Sequence, residues 1–151
     1  MTTHKSDAVT SGIMPDYTRA GVVLCRHCEY TTTADVASGD TIQLVPVPKD
    51  ANVLDVHINV SDISEGINSC NVGYGGDADA FLANVAFSTD DVFSMTGESN
   101  TYGTGSVGFL HKFTADDTVD LAFQGTHTLP TSSVIRCVVY YKMVGSISDE
   151  T

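Results

Sequence analysis

The octapeptide LDVHINVS, Leu54–Ser61, alternates without a break. Leu54, Val56, Ile58 and Val60 are apolar, and Asp55, His57, Asn59 and Ser61 are polar. Successive side chains of an extended chain point to opposite faces, so this period of two specifies a strand with one buried and one wetted side. A helix would scatter the same residues around its circumference. The pattern returns in TVDLAFQ, where Val119, Leu121 and Phe123 share a face. TIQLVPV is a strand ended by Pro46 and Pro48, which suits an edge or a strand end. GVVLCRHCEY, AFLANVAF and SVGFLHKF read as further strands. SVIRCVVYYKMV is apolar on both sides. Ile135, Cys137, Val139, Tyr141 and Met143 make one face, and Val134, Val138, Tyr140 and Val144 occupy much of the other. Such a strand lies between layers or is covered by a neighbouring subunit.

Helical signals are sparse. Thr, Val, Gly and Asn are frequent, and no long stripe of period 3.6 appears. STDDVF, Ser88–Phe93, offers a cap and an acidic first turn for one short helical turn. About eight strands separated by Gly, Asp and Ser turns predict an all-β chain, an antiparallel β-sandwich, with a jelly roll as the leading architecture. Residues 1–20 are polar, carry Gly12 and Pro15, and read as an extended N-terminal arm. The sandwich domain is expected over 21–145, with a short acidic tail over 146–151. TGESNTYGTGS, Thr96–Ser106, reads as a long exposed loop.

The chain has 151 residues, enough for one ordinary domain with a proper core, and its apolar share of 42% places it among globular sequences. Seven basic residues against 19 acidic ones leave a formal charge of −12. A nucleic-acid binder needs clustered Lys and Arg to neutralise phosphates, so that class is excluded as an expectation. The N-terminal MTTHKSDAVTSGIMPDY holds no apolar run of signal-peptide or membrane-span length, which predicts synthesis in a cytosol and no membrane partner.

Cys25 and Cys28 have CxxC spacing in LCRHCEY. One such knuckle supplies half a zinc tetrahedron. Haem attachment requires His directly after the second Cys, where Glu29 stands. In a strand, Cys25 and His27 share one face and Cys28 points to the other. With Cys70 and Cys137, these are expected to be reduced thiols packed as small apolar groups. The histidines His4, His27, His57, His111 and His127 are scattered, unlike the closely spaced ligand set of a cupin-type metalloenzyme. No catalytic, cofactor or metal site is therefore expected.

NVGYGGDADAFLAN, Asn71–Asn84, sets Gly73, Gly75 and Gly76 beside Asp77 and Asp79. A phosphate loop would need a lysine where aspartates stand, and aspartates repel phosphate. The DxD spacing of Asp77 and Asp79 opens calcium loops, yet the required glycine and distal glutamate do not follow, and Asp90 and Asp91 would serve only if folded close. Two aspartates two residues apart in a turn do not make a glycosidase pair. The remaining reading is a structural turn over Gly73–Asp79, with glycines at positive φ.

The run GDTIQLVPVPKDANVLDVHINVSDI from Gly39, followed by NVGYGGDADAFLAN, resembles a family of small virion proteins of tailed bacteriophages and prophages. Its members carry a strand, a VPK-Gly-Ala turn, an alternating strand, and a turn of the form VG-Asp-Gly-x-Asp-Ala-Asp-x-Phe. Asp50 stands in place of the first turn's glycine, and Tyr74 in place of the second turn's first aspartate. The resemblance is centred on residues 39–84. It implies a non-enzymatic capsid decoration or cement protein on the virion surface, bound to the major capsid protein and to copies of itself, as a trimer. Tyr17, Val138 and Tyr140 are then the expected oligomer or capsid contacts. Other roles are a fibre, spike or tail component, or a carbohydrate-binding jelly roll in which Tyr17, Tyr74 or Tyr102 stacks on sugar rings.

Overall fold

In the computed structural model, which describes residues 1–12, 22–61, 69–87, 92–97, 108–124 and 128–143, the alternating and β-branched segments form strands. In chain order these are β1 (Thr3–Lys5), β2 (Val23–Thr31), β3 (Thr41–Val47), β4 (Ala51–Ser61), β5 (Cys70–Tyr74), β6 (Asp77–Val85), β7 (Val92–Ser94), β8 (Asp117–Phe123) and β9 (Val134–Met143). One helical turn, α1 (Asp7–Thr10), follows β1. The strands make two sheets, ordered β1-β3-β8-β5-β6 and β2-β9-β4-β7. β1 joins β3 in parallel, with Thr3 opposite Thr41. The other pairings are antiparallel. Without β1, eight strands cross between two four-stranded sheets in the order of a jelly roll, so the chain is the all-β sandwich that the alternation predicts.

The core lies between the sheets. Val56, Ile58 and Val60 of β4 face Val119, Leu121 and Phe123 of β8 across the interior, with Ile135, Cys137, Val139 and Tyr141 of β9, and all of these are at most 1% exposed. Burying side chains of this size contributes roughly 1.5–3 kcal/mol each, so these central strands carry most of the cohesion.

Three local expectations are corrected. The alternation in β4 is broken by a register shift between Val53 and Asp55. This bulge sends Leu54 outward to a half-buried position and buries Val53 in its place. SVGFLHKF is not a strand over its length. It turns at Gly108–His111, where Leu110 takes φ 60°, and Lys112 then forms an isolated bridge with Asn52. A left-handed residue cannot continue an extended ladder. Within the expected helical turn at Ser88–Phe93, Val92 and Phe93 belong instead to β7, paired with Asn59 and Ile58. Ser88–Asp91 lie outside the described residues. Phe93 meets Phe87 edge-on at 5.0 Å, a contact that helps hold this part of the segment at the sheet edge.

Part of the expected arm lies on the body. The Thr2 amide donates to Asp40 at 2.7 Å, and the Ser6 amide to the Gln43 carbonyl at 2.9 Å. The Ser6 hydroxyl donates to the Leu44 carbonyl, and Ser6 is fully buried. Ser6 also caps α1, accepting from the Val9 amide at 3.3 Å. Residues 13–21, including Tyr17, lie outside the described residues, as do Tyr102, His127, most of the 96–106 loop and the tail beyond Met143.

Candidate interaction face

The outer side of the β2-β9-β4-β7 sheet carries the residues that the sequence singles out. Because β9 is central in that sheet, its inner side chains are buried while Val134, Val138, Tyr140 and Lys142 are half-buried on the outer side. Val138 stands opposite His57 on β4 and His27 on β2. The Tyr140 ring meets the His57 imidazole edge-on at 5.4 Å. Of the expected contact residues, Val138 and Tyr140 thus share one face.

Two polar clusters border this strip. At one end Arg136 Nε donates to Glu29 at 2.8 Å and Nη1 to the Ser61 hydroxyl at 3.2 Å, tying β2, β9 and β4 across the sheet surface. At the other, Asp55 accepts from His57 Nε2 at 2.8 Å, the Ser94 hydroxyl at 3.1 Å, and the Thr96 hydroxyl at 2.6 Å. Burial opposes the charge on Asp55, but the bonds from Thr96, His57 and Ser94 outweigh it and hold the carboxyl below its ordinary range. This Asp–His–Ser grouping is not a nucleophilic relay. A relay needs the imidazole between carboxylate and hydroxyl, whereas here the carboxylate is the hub and accepts a hydrogen bond from each hydroxyl. The cluster ties β7 and Thr96 to β4. Sequence reading missed it, since only the i, i+2 spacing of Asp55 and His57 is visible there, while Ser94 lies just past the segment read as a helical turn and Thr96 opens the one read as a loop.

Between the clusters lies a shallow groove of about 520 Å³ on the outer face, with the side chains of Val92 and Val138 as its apolar part and His57, Asn59, Ser61 and Arg136 around them. Val92 is 63% exposed.

The other candidate positions do not converge. Gly75 and Gly76 form a two-residue turn between Tyr74 and Asp77, so the structural turn is tighter than Gly73–Asp79. Its glycines are not at the expected positive φ. They serve close approach instead. A β-carbon on Gly73 would lie 2.1 Å from the Asp77 carbonyl oxygen, and one on Gly76 2.8 Å from the Tyr74 ring. The neighbouring Asp77 carboxyl raises the pKa of Asp79. Asp90 and Asp91 lie outside the described residues. Among the described residues no group of three or more His, Cys, Asp or Glu side chains converges for a metal ion. The Tyr74 ring stacks on His111 at 4.3 Å and meets Phe113 edge-on at 5.4 Å, so its faces are engaged within the chain. All four cysteines are free, with Cys25 exposed and Cys28, Cys70 and Cys137 buried. Burial pushes the Cys28 thiol up to about 11 and raises Cys70 and Cys137 as well, which keeps them protonated and unreactive. No helix among the described residues is long and apolar enough to cross a membrane.

No protein-family profile and no curated protein matches the sequence. Solved structures do match the fold. A chain from the capsid of Ralstonia phage GP4 superposes with a TM-score of 0.72 at 18% identity, over 95% of this chain and 99% of that one. A chain from the capsid asymmetric unit of cyanophage Pam1 gives 0.57 at 20% identity, over 85% and 90%. A chain from the acid-stable capsid of Helicobacter pylori bacteriophage KHP30 gives 0.54 at 16% identity, over 84% and 92%.

Proposed function

We propose that this chain is a non-enzymatic bacteriophage capsid decoration protein that binds the outer surface of the head and stabilises it as a homotrimer. The observation that carries this reading is the match of its jelly roll to a chain found in a phage capsid, over nearly the whole of both. The outer face of β9, with Val138 and Tyr140, is its assembly surface. It offers half-buried apolar groups framed by hydrogen-bonded polar clusters, the composition of a contact with an apolar centre and a polar rim. In this reading residues 1–20 form an arm that includes Tyr17, residues 21–145 the sandwich, and 146–151 an acidic tail. The net charge of −12 disfavours adhesion to packaged DNA.

The test is removal of the protein from the virion. Heads are expected to form but to burst at lower temperature or under osmotic shock, with adsorption to the host unchanged. Stable heads with lost adsorption would make it a fibre, spike or sugar-binding component instead. Tyr140→Asp places a charge on the proposed surface. It is expected to weaken binding to shells lacking the protein by about 2 kcal/mol or more, measured by co-sedimentation.

A further inference from the structure

Two adjacent large apolar side chains, Phe109 and Leu110, stand in solvent at 52% and 46% exposure. They occupy the middle of a turn closed by the His111 amide on the Gly108 carbonyl at 3.0 Å, and Leu110 takes φ 60°. The third position of a turn with that sign of φ favours Gly or Asn, because a β-carbon there crowds the backbone. Leu110 is therefore a poor local choice, and being exposed it returns little to the core.

The turn is nevertheless held firmly. The Leu110 amide donates to the Val53 carbonyl at 2.8 Å, and the Val53 amide to the His111 carbonyl at 3.0 Å. A β-carbon on Gly108 would lie 2.4 Å from both the Ala80 carbonyl oxygen and the Phe81 ring, so the turn is pressed against β6. A rigid, strained, exposed apolar pair is a local conflict whose compensation lies outside the monomer.

The same chain carries an apolar groove elsewhere on its surface. The knob borders β4 at Val53, and the groove between Val92 and Val138 lies further along that strand, beside His57 and Asn59. The two are separated by roughly 15–20 Å at the rise of a strand, so they do not meet within one subunit. The groove's volume of about 520 Å³ is ample for two large side chains. Copies bearing a charge of −12 repel at a distance, so their contact requires an uncharged centre. Knob and groove are different surfaces, which makes their contact heterologous, and such contacts close into rings when the rotation permits.

We propose that the Phe109–Leu110 knob of one copy seats in the Val92–Val138 groove of the next, closing the oligomer. This deepens, and rests on, the reading of the β9 face as an assembly surface.

Leu110→Asn separates association from folding, because Asn tolerates the left-handed conformation. Its monomer is expected to be at least as stable as the wild type in thermal melts. Its self-association, followed by sedimentation equilibrium, is expected to weaken by at least about tenfold, as is that of Val92→Asp. In a Cys25→Ser background, Phe109→Cys combined with Val92→Cys should form an interchain disulfide on mild oxidation by a small disulfide, and neither single variant should. A wild type that stays monomeric at sub-millimolar concentration, or a Leu110→Asn protein that associates normally, would overturn the inference. So would a Phe109→Cys protein that cross-links to itself. Leu110→Asn that keeps its oligomer but no longer binds shells would assign the knob to the shell protein, sinking this inference and leaving the decoration role intact. Normal oligomers that bind no shell in any form would sink the decoration role alone.

Discussion

Asp120 sits on the outer side of β8 between Gln43 of β3 and Gly73 of β5, and only 8% of it is exposed. Burial raises its pKa to about 7, against a bond from the Thr118 hydroxyl that lowers it, while the Asp117 charge adds to the rise. A carboxyl raised in this way keeps its proton in the folded state after the unfolded chain has lost it. Between about pH 4 and 7 the folded state thus binds more protons, and stability falls as pH rises through that window. Asp120→Asn should remove this slope and stabilise the protein at pH 8 by on the order of 2–4 kcal/mol, with little effect near pH 4, in urea melts at the two pH values. Asp55 has the opposite sign. Its lowered pKa supplies stability above about pH 4 that is lost on further acidification. The cysteines give a simpler check. Thiol titration should find one fast-reacting group, Cys25, in the native protein and four after denaturation without reductant. Fewer than four would indicate a bond or a bound metal.

The turn from β3 to β4 shows how an element's geometry selects residues. The Ala51 amide closes Pro48–Ala51 on the Pro48 carbonyl at 3.2 Å, and Asp50 takes φ 67°. The sequence pattern that this stretch resembles has glycine there, and Asp is among the few other residues that tolerate the left-handed region. The Asp50 pair with Lys112 at 2.9 Å is exposed and contributes little. Asp50→Gly should therefore be neutral or stabilising by up to about 1 kcal/mol, whereas Asp50→Val should cost about 1–2 kcal/mol in chemical denaturation. Asp55→Ala should cost about 2–3 kcal/mol by the same measurement, since it strands the donors of His57, Ser94 and Thr96. The strands with period two or long β-branched runs were legible in the sequence, β4, β8 and β9 above all. β1, β5 and β7 were not. β1 and β7 are three residues long, and β5 carries Gly73, so each is held by its neighbours rather than by its own pattern. The bulge at Val53 was equally hidden, because LDVHINVS alternates perfectly whichever side its first residue takes.

At the scale of the molecule, the doubly apolar β9 has one face covered by the opposing sheet, as its pattern implied, and its other face is half-buried within the single chain. The knob at Phe109–Leu110 was illegible because SVGFLHKF has the composition of a strand, and only the backbone reveals the turn. The strand order has a further consequence, for folding. β9 lies between β2 and β4, and β8 between β3 and β5, so the last two strands in chain order are the central staples of the two sheets. Until synthesis has passed Phe123, β3 and β5 have no shared partner, and until it has passed Met143 neither have β2 and β4. Folding is therefore governed by long-range closure, which is slow and nearly all-or-none. A chain cut within β9 should show no cooperative unfolding transition in calorimetry rather than a weakened one. Nascent chains would lack the outer face of β9, and the assembly proposed for that face would wait for the final strand to complete its layer.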